Sequence, residues 1–167
     1  KGIVKTPNII IDGDKLVVPL TSYNDKVTSY QTIYPDGRKL TAKGSKILGS
    51  CHWIDKKPVN RDVIAISESY STAATLWQHS GVNPVCCVLG TANVPAVVRV
   101  LLIVYPHSPI VVYADDDDNQ AGLIAAEKAS RIDPYRVAVK LPDWGGAKPK
   151  GCSDFNDLYL YKKNRNQ

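Results

Sequence analysis

The stretch Ile110-Val111-Val112-Tyr113-Ala114-Asp115-Asp116-Asp117-Asp118 decides how this chain is read. A short apolar run of strand length, rich in β-branched residues, ends abruptly in four aspartates. Working outward, the same texture recurs twice upstream. Val63-Ile64-Ala65-Ile66-Ser67 runs into Glu68, and Val85-Cys86-Cys87-Val88-Leu89 runs into Gly90-Thr91. Between and after these runs lie helical candidates at residues 69–79, 95–105 and 120–132, then a strand candidate at 136–140 and a last helical one at 154–161. Strands alternating with helices predict a parallel sheet with helices on its faces. On such a sheet ligands gather beyond the carboxyl ends of the strands, so Glu68 and the aspartate run are expected on one rim despite their separation in sequence.

The front of the chain reads differently. Residues 8–11, 16–20, 27–33 and 47–53 are short apolar or alternating runs separated by turn chemistry, of which Tyr34-Pro35-Asp36-Gly37 is the strongest instance. The sequence therefore predicts an α/β protein with a β-rich subdomain over residues 1–61 and a parallel sheet flanked by helices over residues 62–167. The segment after the turn carries Arg38, Lys39, Lys43 and Lys46 beside small residues, a pattern that suits nucleic-acid or nucleotide phosphate, although a solvated hairpin would use it too.

Composition narrows the class. The chain has 167 residues, 44% hydrophobic and 22% charged, which excludes wholesale disorder, collagen and coiled coil. The longest apolar run, Val94–Tyr105, is broken by Arg99 and too short for a bilayer, and neither terminus reads as a signal peptide, so a cytoplasmic protein is expected. A net charge of +5 mildly favours an anionic partner. Cys51, Cys86, Cys87 and Cys152 form no CxxC pair and read as reduced thiols rather than zinc ligands. The absence of Met, even at position 1, reads as a piece of a longer protein.

Four adjacent carboxylates repel one another unless something positive intervenes. A divalent cation would serve, and hard oxygen ligands select Mg2+ or Ca2+, of which Mg2+ commonly takes one or two protein carboxylates and leaves its other positions to water and phosphate. In extended chain Asp115 and Asp117 point to one side and Asp116 to the other. That makes Asp115 and Asp117 the better pair, with Asp118 or Asn119 as an N-cap for the next helix. A solvated loop ending in a helix cap is the plainer alternative. Glu68 stands where the helix dipole also favours an acid. Gly90-Thr91 permits close approach of a ligand to the backbone, and also makes an ordinary strand-to-helix turn.

Residues 62–161 resemble a Toprim domain, the metal-binding α/β module shared by primases, topoisomerases, gyrase-type enzymes and some nucleases. The likeness rests on the strand ending in Glu68, the Leu89-Gly90-Thr91 turn, and the strand ending in Asp115-x-Asp117 followed by Gly122. It narrows to plasmid- and phage-type DNA primases of the bacterial kind through Ile66-Ser67-Glu68-Ser69-Tyr70-Ser71-Thr72-Ala73 and through Cys152-Ser153-Asp154-Phe155-Asn156-Asp157-Leu158, which is similar to their closing Asp-x-Asn-Asp segment. Residues 16–20, 34–39 and 46–49 are similar to the small subdomain before Toprim in such primases. Ser69 stands where many members have Gly, and Asp116 where many have Asn.

The resemblance implies a Rossmann-like Toprim sheet and metal-dependent, template-directed synthesis of RNA primers on single-stranded DNA. It implies Mg2+ or Mn2+ held by Asp115 and Asp117, with Glu68 as a ligand or as general acid/base. Asp154 and Asp157 are further metal candidates, with helix capping by Asp154 equally open. Implied partners are a single-stranded DNA template, ribonucleoside triphosphates, and a replicative helicase or zinc-binding module outside these residues. Rival readings are a Toprim nuclease using the same carboxylates and a non-catalytic nucleic-acid-binding piece. A topoisomerase lacks a marked tyrosine nucleophile, and a phosphoacceptor receiver fits the β-rich front poorly.

Overall fold

The computed structural model describes residues 5–59 and 61–165. The predicted β-rich front is a four-stranded antiparallel meander of β1 (Ile10–Asp12), β2 (Lys15–Thr21), β3 (Val27–Ile33) and β4 (Lys39–Thr41) in sequential order. Its strands alternate as a half-buried sheet should: Val18 and Leu20 of β2 and Ser29 and Gln31 of β3 face inward, whereas Tyr30 is exposed.

The second sheet contains β5 (His52–Trp53), β6 (Ile64–Ser67), β7 (Val85–Cys87), β8 (Ile110–Tyr113) and β9 (Val137–Lys140) in the order β5-β7-β6-β8-β9. The last four pair in parallel, and β5 is an antiparallel edge on β7. The helices are α1 (Tyr70–Ser80), α2 (Val94–Val104), α3 (Ala121–Ser130) and α4 (Phe155–Arg165). One correction concerns β5. Its residues read as the end of the front meander, yet His52 and Trp53 pair with Cys87 and Cys86. The chain crosses between sheets just before them, through the bridge of Thr21 with Cys51.

Both faces of the second sheet are covered, which is why its strands read as continuous apolar runs. Ile64, Ile66, Cys86, Ile110 and Val112 pack with Val97, Val98 and Leu101 of α2 and Ala126 and Ala129 of α3. Ala65, Val85, Cys87 and Tyr113 pack with α1, with Phe155 of α4 and with Val18 and Leu20 of the meander. The adjacent Cys86 and Cys87 thus lie on opposite faces, and burial pushes both thiols well above their usual range. All four cysteines are free. No helix among the described residues is long and apolar enough to cross a membrane.

Candidate active site

The strand order places the chemistry. From β6 the chain moves to β7 on one side, then to β8 on the other, so the topology switches between β6 and β8 and opens a crevice at their carboxyl ends. Ser67 is in register with Tyr113. Glu68 therefore leaves β6 beside the point where Ala114 and Asp115 leave β8.

Each element ends in a way its sequence explains. Ser69 is the N-cap of α1, with φ −103° and ψ 153°, and its hydroxyl accepts from the Thr72 N–H at 3.2 Å. That backbone is open to any residue, so serine in place of glycine supplies a cap without strain. The Leu89-Gly90-Thr91 turn is tied to the site by the Leu89 N–H, which donates to the Glu68 carbonyl at 2.8 Å. Gly90 has φ +145°, a region that needs glycine. Gly122, in the first turn of α3, packs on Asp115 so closely that an added Cβ would meet the Asp115 carbonyl oxygen at 3.1 Å and amide nitrogen at 3.2 Å. This glycine lets α3 seat under the aspartate. The predicted cap of α3 shifts by a residue: Gln120 occupies the N-cap in a left-handed conformation without a side-chain bond, while Asn119 Oδ1 accepts from the Ala121 N–H at 2.7 Å. Asp118 is fully exposed.

Glu68, Asp115 and Asp117 come together as expected. Burial raises the Glu68 pKa, Asp117 adds to the rise, and Lys39 opposes it. Asp115 is pushed up to about 7 by burial first, then by the charges of Glu68, Asp154 and Asp117, with Lys39 again opposing. Like charge and desolvation thus bear on the same small volume. Asp115 Oδ1 and Asp117 Oδ1 are buried and have no hydrogen-bond partner among the described residues. Asp116 turns the other way, as alternation predicts, and Trp144 Nε1 donates to its Oδ2 at 3.1 Å.

No three His, Cys, Asp or Glu side chains among the described residues form a ready cage for one ion. Two buried, partnerless carboxylate oxygens nevertheless fit Mg2+, whose remaining positions are filled by water and phosphate rather than protein. Asp154 and Asp157 form a reciprocal cap at the start of α4: the Asp157 N–H donates to Asp154 Oδ1 at 2.7 Å, and Asp157 Oδ2 accepts from the Ser153 N–H at 3.0 Å. Asp154 stays close enough for its charge to bear on Asp115.

Of the four basic candidates, Lys39, on β4 of the meander, is the one whose charge reaches Glu68 and Asp115. Arg38 pairs with Asp36 at 2.5 Å and lies over the Tyr34 ring at 5.0 Å. Lys43 and Lys46 are exposed on the loop after β4. Two further residues escaped the sequence reading. Lys148 ion-pairs with Asp116 and Asp118, each at 3.5 Å. Asn93 is fully buried, donating to the carbonyls of Ser50 and Val88 at 2.9 Å each and accepting from the Gly49 N–H at 2.8 Å.

This architecture is that of a primase catalytic domain. The primase fragment of the bacteriophage T7 primase-helicase protein superposes with a TM-score of 0.66 at 19% identity, over 93% of this chain and 62% of that one. The DnaG primase catalytic domain bound to ssDNA superposes with a TM-score of 0.58 at 14% identity, over 95% of this chain and 53% of that one. In sequence, the chain is 30% identical over 121 residues to the DNA primase TraC of Escherichia coli. That match takes in 70% of this chain but 8% of TraC, so the chain corresponds to a small part of its relative. No family model matches the chain. Fold and sequence relationship both point to primases, the fold to their catalytic domains and the sequence to a segment of TraC.

Proposed function

We propose that these residues form the catalytic core of a DNA primase, which joins ribonucleotides on a single-stranded DNA template as a nucleotidyltransferase. The observation that carries this reading is the pair of buried, partnerless oxygens of Asp115 and Asp117 beside Glu68, at the switch point of a primase-type sheet. In the reaction a 3′ hydroxyl oxygen bonds to the α-phosphorus of a nucleoside triphosphate, the bond to pyrophosphate breaks, and the hydroxyl proton is lost. Mg2+ or Mn2+, when bound, supplies Lewis acidity and neutralises charge on the phosphates. Asp115 and Asp117 would hold it. Glu68, with its pKa raised, is a further ligand or accepts the hydroxyl proton.

Lys39, whose charge bears on Glu68 and Asp115, would meet incoming phosphate, with Lys43, Lys46 and Arg38 tracking the template further out. Gly90 and Thr91 border Glu68 and would approach the nucleotide through backbone. Asp154 and Asp157 brace the rim through the helix cap, with a water-mediated metal contact as a second role. On this reading residues 62–167 form a Toprim unit and residues 1–61 its front subdomain, working with a helicase or zinc-binding module elsewhere.

The test is synthesis of labelled oligoribonucleotides on single-stranded DNA with Mg2+ or Mn2+, with template integrity followed in the same tubes. Asp117→Ala should lower synthesis by about three orders of magnitude, or about 4 kcal/mol, and leave the thermal melt intact. Degradation of the template in place of synthesis would make the core a nuclease. DNA binding that survives Asp115→Ala and Asp117→Ala, without turnover in the native chain, would make it a binding module.

A further inference from the structure

Consecutive aspartates are expected to behave alike, and these do not. Every polar group of Asp116 has a partner. Its N–H donates to the Ser153 carbonyl at 2.7 Å, and its carbonyl accepts from Lys148 Nζ at 2.6 Å. Trp144 Nε1 donates to Oδ2 at 3.1 Å, and Lys148 Nζ stands 3.5 Å from Oδ1. Its two neighbours each keep a buried oxygen with none among the described residues. Both Asp116 side-chain partners come from the loop between β9 and α4, some thirty positions downstream. We propose that Trp144 and Lys148 form a latch that holds the Asp116 carboxylate out of the site and cancels its charge, leaving Asp115 and Asp117 to present oxygens to a divalent cation. The proposal rests on the metal reading of Asp115 and Asp117 given above.

Three features make the latch more than an incidental surface pair. Trp144 is 8% exposed and its ring meets Tyr161 of α4 edge-on at 6.4 Å, so the indole N–H is held in place by packing. An indole can only donate, so it suits an acceptor such as the Asp116 carboxylate oxygen. The Lys148 side chain is 28% exposed, so its pairing with Asp116 is less screened than a pair in open water. Its hydrogen bond to the Asp116 carbonyl also fixes the backbone between the two candidate ligands, which side-chain neutralisation alone would not do. In this division of labour Trp144 and Lys148 are positioning residues. They touch neither cation nor substrate.

Two other roles for Lys148 make opposite predictions. The residue lines an open cleft of about 450 Å³ together with Asp117, Asp118 and residues 149–153, so it could instead contact a substrate phosphate. It could also merely lower the negative field at the site. The experiment is calorimetric titration of the apo chain with Mn2+, for the native protein and for Lys148→Met, Asp116→Asn and the double variant, with Trp144→Phe as a second way to open the latch. Asn at 116 keeps an acceptor for the indole and removes the charge that needs cancelling.

The latch predicts that Lys148→Met weakens Mn2+ binding by about fivefold or more, and that the same change in the Asp116→Asn background costs less than about twofold. Trp144→Phe should weaken binding in the same direction. Tighter binding by Lys148→Met would overturn the latch in favour of a field effect. A loss undiminished by Asp116→Asn, or no change in Mn2+ affinity with a raised KM for nucleotide, would overturn it in favour of phosphate contact. Should Asp115→Ala and Asp117→Ala leave Mn2+ binding unaltered, the metal reading itself fails, and the titration shows that separately from any Lys148 result.

Discussion

The two sheets use similar residues but bury them in different ways. Every residue of β6 and β7 is buried, Ser67 included, whereas β3 alternates buried Ser29 and Gln31 with exposed Tyr30. In the parallel sheet, helices on both faces leave the strand ends as the place where charge can gather. In the meander the buried positions are themselves partly polar and hold the basic loop down: Ser29 Oγ lies 2.6 Å from Ser45 Oγ, and Gln31 Nε2 donates to Thr41 Oγ1 at 3.3 Å. One sheet is a rigid base for carboxylates. The other secures through hydrogen bonds a segment that carries Lys39, whose charge reaches those carboxylates.

Five changes would break or sharpen that contrast. The largest stability effect should come from Ile66→Ala, which empties a fully buried position in the central strand and should cost about 3 kcal/mol or more in a urea melt. Leu40→Ala, on the exposed β4 of the meander, should cost less than about 0.5 kcal/mol, and equal costs would erase the distinction.

Next comes the seam. His52 of β5 is 3% exposed, with Nδ1 3.0 Å from the Pro19 carbonyl of the meander, and burial lowers its pKa to about 4. The unfolded chain, with an ordinary imidazole, binds more protons between about pH 4 and 6.5. The His52 contribution to stability should therefore rise with pH across that window, by about 3 kcal/mol, and be lost as pH falls through it. Asp115, with its pKa pushed up, acts in the opposite direction over an overlapping range. Comparing native and His52→Gln melts between pH 4.5 and 7 isolates the imidazole, and identical slopes would refute the assignment.

Gly122→Ala should act through Asp115, because the added methyl meets that residue's backbone. A cost of about 1–2 kcal/mol in stability and a roughly tenfold weaker response to Mn2+ in the primer assay are expected. Loss of stability with metal response unchanged would mean that the helix gives and the aspartate stays. The smallest effect belongs to Lys39→Gln. Removing the cation that opposes both pKa rises should move the pH midpoint of Mn2+ binding upward, with activity falling less than about fivefold and the deficit shrinking at high salt.

What could be read from sequence was whatever a residue's own neighbours dictate. Continuous apolar runs identified the parallel strands, their polar last residues identified the rim, and alternation sent Asp116 away from Asp115 and Asp117. What could not be read was set by distant chain. The bonds from Trp144 and Lys148 to Asp116 depend on how the loop after β9 returns. His52–Trp53 left the meander because β7 offered an open edge, which no local pattern records. Lys39 was one cation among four until its reach to Glu68 and Asp115 singled it out. Gly122 was visible as a residue of the motif, but its reason, contact with the Asp115 backbone, is tertiary. Asn93 gave no signal, since a buried amide with every bond satisfied looks like a loop asparagine.

That asparagine also ties the two halves of the molecule together. Its amide gathers the Gly49 N–H, the Ser50 carbonyl and the Val88 carbonyl into one dry knot at the point where the chain passes from meander to parallel sheet. Opening it would strand several polar groups away from water. The two halves are thereby tied at this crossing, and the apolar core they share, with Val18 and Leu20 against Ala65 and Val85, joins them further along. Loss of this one amide should therefore loosen both halves together rather than either alone.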